Sequence, residues 1–169
     1  MEYFYISQDK RYKNPPSIVN FYDRFYPNLF CVEQEHRIPD KNVVYIGSGE
    51  KTDYLDIVAG PVILVSERMK RIMEPYEDLV WKMMFLLNIP TGEGEVYYTP
   101  IMKKTDCVKI IKIQGCRHMI FKKDMEGDGN IWKSDKEELR GGIVINMMVA
   151  ESLLRRNLKG ICYERLEVE

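Results

Sequence analysis

Asp124, Glu126, Asp128 and Asp135 occupy positions 1, 3, 5 and 12 of a twelve-residue run that carries Gly129 at position 6 and Ile131 at position 8. This is the spacing of an EF-hand-like calcium loop, in which oxygen donors converge on the ion around a sharp glycine turn. The flanks differ from that motif. Residues 119–121 read as a strand, no stripe of helix length follows, and Asp135 is shorter than the bidentate Glu usual at the last position. The run 124–135 is therefore expected to be a solvated hairpin loop of the kind Gly and Asp favour, with a calcium site as its rival.

A second candidate is Gly47-Ser48-Gly49-Glu50-Lys51-Thr52, a glycine turn that follows a strand and precedes Lys and Thr. A phosphate-binding loop needs Gly, Lys and Thr in succession. Glu50 interrupts that order and adds a negative charge where phosphate would sit, and Val44 stands where the first glycine belongs, so a plain polar turn is expected. Cys116 and His118 share a strand face, with Cys107 on the preceding strand as a third conceivable zinc ligand. The close cysteine pairs of structural zinc sites are missing, and buried thiols are expected.

His36 and His118 are the only histidines. A Ser–His or Cys–His nucleophile requires one of them beside a reactive side chain and an orienting carboxylate. His36 lies among Glu33, Glu35 and Arg37, and His118 lies in a strand with Met119 and Ile120, so neither carries a nucleophile signature. No catalytic residue, cofactor site or metal site is assigned on these grounds.

The elements that must position these residues are mostly strands. The aromatic-rich start, residues 1–6, reads as a strand, followed by a polar loop closed by Pro15 and Pro16. Phe21, Tyr22, Phe25 and Tyr26 recur at helical spacing, which predicts one amphipathic face against the core, with an exposed aromatic surface as the alternative. Short strands are expected at 43–46 and 62–65, and Ser66 is placed to cap a helix over 67–74 with Met69, Ile72 and Met73 as its apolar stripe. Trp81, Met83, Phe85, Leu87 and Ile89 alternate strictly, which predicts a strand with one fully apolar face and a mixed opposite face.

Thr91-Gly92-Glu93-Gly94 then turns the chain into a strand over 95–102, giving an antiparallel hairpin. Further strands are expected at 106–113, 117–123, around Ile131 and Trp132, and at 143–145. Asn146 is placed to cap a helix with Ala150, Leu153, Leu154 and Leu158 in its stripe and Gly160 at its stop, before an edge or half-buried strand over 161–168. The order glycine, short strand, short helix, strand occurs twice, at 60–87 and 142–168, as a shared supersecondary unit. Together these predict an α+β fold, a mostly antiparallel sheet with two or three short helices, in one domain spanning 1–169 without a linker.

With 25 Lys and Arg against 26 Asp and Glu, the net charge of −1 provides no global positive field for nucleic acid. No apolar run approaches the roughly 20 residues of a membrane helix. The four scattered cysteines (Cys31, Cys107, Cys116, Cys162) and the absence of a secretory pattern predict reduced thiols in a cytoplasmic protein.

Several stretches carry a likeness to a known group: Pro61-Val62-Ile63-Leu64-Val65-Ser66-Glu67 before a basic short helix, the Tyr97-Tyr98 strand, and residues 143–160 closing with Ile161-Cys162-Tyr163-Glu164. From about Val58 to the C-terminus the chain resembles the bacterial polymorphic-toxin immunity family numbered eleven. The resemblance implies a small α+β protein that binds and neutralises a cognate toxin, with no cofactor, and it transfers no site residue. Two alternatives remain at this level: a sensory or scaffold domain that binds a small molecule or calcium, and a small-molecule enzyme whose acid and base come from carboxylates distant in sequence.

Overall fold

The protein is described here by a computed structural model covering residues 1–47 and 51–169. The chain starts with β1 (Tyr3–Gln8), β2 (Ile18–Val19), the single-turn α1 (Phe21–Arg24), β3 (Lys41–Ile46), β4 (Ile57–Val58), β5 (Leu64–Ser66) and α2 (Glu67–Met73). A long hairpin follows, β6 (Val80–Asn88) and β7 (Gly94–Ile101), and then β8 (Lys104–Thr105), β9 (Val108–Ile113) and β10 (Cys116–Phe121). The chain ends with β11 (Ile131–Ser134), β12 (Gly142–Asn146), α3 (Met147–Arg155) and β13 (Ile161–Val168). This is the expected α+β fold with mostly antiparallel pairing.

The strands form two sheets, one ordered β8-β11-β12-β1-β13-β10-β9 and the other β2-β3-β6-β7-β5-β4. Pairing is antiparallel except for β10 with β13, β11 with β8 and β3 with β6. The repeated unit is real and has a definite geometry. β5 and β6 flank β7 and both run antiparallel to it, so they are parallel to each other, with α2 between them in sequence. β12 and β13 flank β1 in the same way, joined through α3. Each unit is a split β-α-β in which a third strand fills the gap. In one unit the filler follows as the hairpin partner of β6; in the other it is the N-terminal strand.

The two longer helices, α2 and α3, begin where the sequence places a cap. Ser66 Oγ accepts from the Met69 amide at 3.1 Å, and Asn146 Oδ1 accepts from the Val149 amide at 3.2 Å. Each cap satisfies one of the amides a helix start leaves orphaned. The apolar stripes of α2 and α3 meet in a central cluster that joins Met69, Met73, Val149 and Leu153 to Ile6 of β1, Val65 of β5, and Ile143 and Ile145 of β12. This one core thus draws on both sheets and both helices. Two outer cores cover the other faces: Phe21, Phe25, Leu29 and Ile38 seal the six-stranded sheet, and Tyr3, Phe121, Trp132 and Leu139 belong to the cluster on the seven-stranded one.

Several expectations are corrected. The aromatic stripe at 21–26 is one turn of helix, and it splits: Phe21 and Phe25 are buried, whereas Tyr22 and Tyr26 are 63% and 69% exposed. The final strand is half-buried as expected but is not an edge: it lies between β1 and β10, because the N-terminal strand and the β9–β10 hairpin cover both of its edges. α3 ends before Gly160, with Asn157 in the left-handed conformation (φ 48°), and Leu154 points to solvent. The expected alternation of β6 holds, and its two faces differ in depth. The mixed face, Lys82, Met84, Leu86 and Asn88, is buried, while the fully apolar row is covered only in part. The cause is the segment 21–38, which packs over the mixed face.

Candidate functional site

The acidic loop does not fold as a calcium cage. Asp124 starts the loop in a 3-10 turn (Lys123–Met125) and, like Asp128, is exposed, and Glu126 reaches the N-terminal ammonium at 3.3 Å. Asn130 is already used: its Nδ2 donates to Tyr76 O at 2.7 Å, its Oδ1 accepts from Asn146 Nδ2 at 2.7 Å, and its amide donates to Glu77 Oε2 at 3.0 Å. Asp135 lies beyond β11, beside Lys136 at 3.3 Å. Among the described residues no group of three His, Cys, Asp or Glu side chains converges as metal ligands would.

The other sequence candidates also lie apart. Ser48, Gly49 and Glu50 of the glycine turn lie outside the described residues. Cys107 is buried, with its thiol pKa pushed up by burial, whereas Cys116 is exposed on β10. His118 Nδ1 sits 3.2 Å from Glu167 Oε1 on β13, and His36 is exposed in the 3-10 turn Glu35–Arg37. Glu35, its neighbour, extends to Lys82 Nζ at 2.8 Å, and Asp40 meets the same ammonium at 2.9 Å. Burial works to lower the Lys82 pKa, but the two carboxylates outweigh it and hold the pKa above the ordinary value.

Two surface features stand out. The first is the apolar row of β6. Its Trp81 end packs into the central core, with the Lys70 ammonium 5.7 Å from the ring centroid. Beyond it, Met83, Phe85 and Leu87 are only half-buried and Ile89 is exposed. The sheet register extends this row sideways: Val43 pairs with Phe85, Tyr45 with Leu87, and Val96 with Phe85 on the other side. Val43 and Tyr45 are 40% and 41% exposed, so apolar side chains from three strands face outward together. Phe85 lies close over Gly94, where a Cβ would fall 2.4 Å from its ring.

The second feature is a cleft of about 1570 Å³, lined by residues from both sheets, including β1, β7, β11 and β13. Its arginines are committed: Arg11 binds Asp9 at 2.7 Å, Arg117 binds Glu164 at 3.0 Å and Arg140 binds Glu137 at 2.8 Å. Lys133 is different. Its ammonium donates to the carbonyls of Arg140 and Gly142, and it has no carboxylate partner among the described residues. Burial and the neighbouring Lys104 push its pKa down to about 8, against a smaller opposing pull from Glu137. The hydroxyl of Thr99, a side chain 2% exposed in the same wall, has no hydrogen-bond partner among the described residues.

Neither feature was named from sequence. The alternation of β6 was visible, but its partial exposure depends on how far α2 and α3 reach across the sheet. Lys133 had no local signal, since its isolation comes from β8 and the turn at Glu137–Leu139 meeting it in space. No helix among the described residues is long and apolar enough to cross a membrane. Compared with known families and curated proteins, no family model matches the chain and no curated protein matches it.

Proposed function

We propose that this chain is a binding protein of the immunity type, which neutralises a cognate protein toxin by docking it on the open apolar row of the six-stranded sheet. The observation that carries this reading is the position of the row. The most regular apolar stripe in the sequence is left half-open on a three-strand surface, with aromatic and methionine side chains of the kind enriched at interface centres. Strands hold these side chains in fixed positions, so little conformational entropy is lost when a partner covers them. The likeness of residues 58–169 to the immunity family supplies the class of partner.

The test is co-expression with any polymorphic toxin found encoded beside this gene. The wild-type chain is expected to restore growth and to co-purify with the toxin in a fixed ratio, in a complex burying about 1,200 to 2,000 Å². Val43→Lys and Tyr45→Lys change exposed positions and should leave the melting temperature unchanged while abolishing rescue. Rescue by the double variant would remove the docking face from the proposal, and failure of the folded wild-type chain to rescue or co-purify would remove the immunity role. Light scattering on the chain alone checks the face further: a dimer dissolved by the double variant would assign it to self-association.

A further inference from the structure

Separately from the docking face, the geometry points to an anion-binding site in the cleft between the sheets, in which Lys133 and Lys104 receive a carboxylate carried on an extended acidic polypeptide segment. The two lysines occupy directly paired positions of β11 and β8, so two like charges are held side by side. Like charges directly opposite one another repel modestly, and an anion between or above them relieves that repulsion. An ammonium has three donors, and the Arg140 and Gly142 carbonyls take two from Lys133, leaving one without an acceptor among the described residues. Lys133 is half-buried in the cleft wall, so its remaining donor is open to the cleft, where a carboxylate would accept it.

The charge balance of the cleft agrees. Lys10, Arg11, Lys104, Arg117, Lys133 and Arg140 stand against Asp9, Glu137, Glu138 and Glu164, an excess of two positive charges. Three of the four acids are held by the three arginines, which leaves three lysines facing Glu138. A phosphate would be met best by bidentate arginine forks; here Asp9 fills the Arg11 fork, and Arg117 and Arg140 each already hold a carboxylate through one N–H. Lysines remain as point charges, and the Thr99 hydroxyl is a further free polar group in the wall. At about 1570 Å³ the cleft also exceeds the roughly 300–1,000 Å³ typical of small-molecule pockets, so it has room for a run of polypeptide. Tyr22, Pro27 and Phe30 on its rim offer apolar contacts to such a run.

The test follows the Lys133 ammonium directly, by NMR of lysine side-chain nitrogens in the full chain. The probe is a random copolymer of glutamate and tyrosine, which presents carboxylates in many sequence contexts; sodium succinate and inorganic phosphate are the comparison probes. The copolymer is expected to move the Lys133 signal and to raise its pKa towards the ordinary lysine value of about 10.4, which makes binding about tenfold weaker at pH 9 than at pH 7. Lys104→Ala, at an exposed position, should weaken binding at least fivefold without changing the fold, and Lys133→Met should abolish it. If the copolymer leaves the Lys133 signal unmoved, or if phosphate or succinate shifts it as strongly, the site is not one for acidic polypeptide. Toxin rescue is read separately, so loss of this site and loss of the immunity role are distinguishable.

Discussion

Asp56 ties the two split units together, and its removal gives the sharpest test of how the fold is held. One carboxylate oxygen accepts from Ser66 Oγ, the α2 cap, and the other accepts from the Lys159 amide in the loop after α3. Its own backbone bonds to the same two places, donating to Lys159 O at 2.8 Å and accepting from the Ser66 amide at 2.9 Å. Hydrogen bonds to a charged group contribute about 1.5–3 kcal/mol each, so Asp56→Ala removes two of them for a nominal loss of about 3–6 kcal/mol. Because the backbone pairings persist and the two bonds share one group, the lower end, about 3 kcal/mol, is expected. At about 2–4 °C per kcal/mol for a chain of this size, the melting temperature should fall by about 6–12 °C. Asp56→Asn keeps an acceptor for the Lys159 amide and can donate to Ser66 Oγ, so about half that fall is expected. Thermal unfolding by circular dichroism measures both. If Asp56→Ala melts within about 2 °C of wild type, the claim that this carboxylate joins the units is wrong.

Three further outcomes follow from particular contacts. Lys82→Met should cost about 1 kcal/mol or less, because Glu35 and Asp40 can return to water, whereas the double change Glu35→Gln and Asp40→Asn strands a side chain 4% exposed and should cost about 3 kcal/mol; urea unfolding that shows the reverse order would refute the account. Gly142→Ala should destabilise by about 3 kcal/mol, since its Cβ would lie 2.4 Å from the Ile6 carbonyl oxygen and 2.5 Å from the Tyr5 ring; an unchanged urea midpoint would show that β1 and β12 part easily. Lys133 has a folded pKa of about 8, below its unfolded value, so between these pH values the unfolded chain holds the extra proton and stability rises with pH. The melting temperature of wild type should therefore gain on that of Lys133→Met from pH 8 to 9.5, below the range in which the half-buried Tyr163, pushed up to about 12, acts in the opposite direction. A constant difference over that range would contradict the lowered pKa of the half-buried Lys133 ammonium.

Local chemistry made much of the fold legible. Ser66 and Asn146 were readable as caps because a side-chain oxygen one or two bonds beyond Cβ can reach the orphan amides of the first turn, and an apolar stripe follows each. The turn between β9 and β10 is likewise local: Gln114 and Gly115 both take positive φ, at 51° and 81°, the conformation a two-residue hairpin demands. The calcium-like spacing was equally visible, but ligand spacing says nothing of where Asn130 makes its bonds. That depended on Tyr76, Glu77 and Asn146, which lie far from it in sequence.

By itself, then, the sequence determined the element types, the helix starts, the main hairpins and the duplicated strand-helix-strand order, because each depends on neighbours within a turn or a strand pair. Tertiary structure alone decided which strand fills each split unit, that the mixed face of β6 is the buried one, and that Lys133 and Lys104 stand side by side in a cleft. A period of two assigns residues to opposite faces of a strand and cannot say which face will be covered. Coverage is set by where the 21–38 segment and the two helices come to rest, and in this protein they leave the most apolar row half-open.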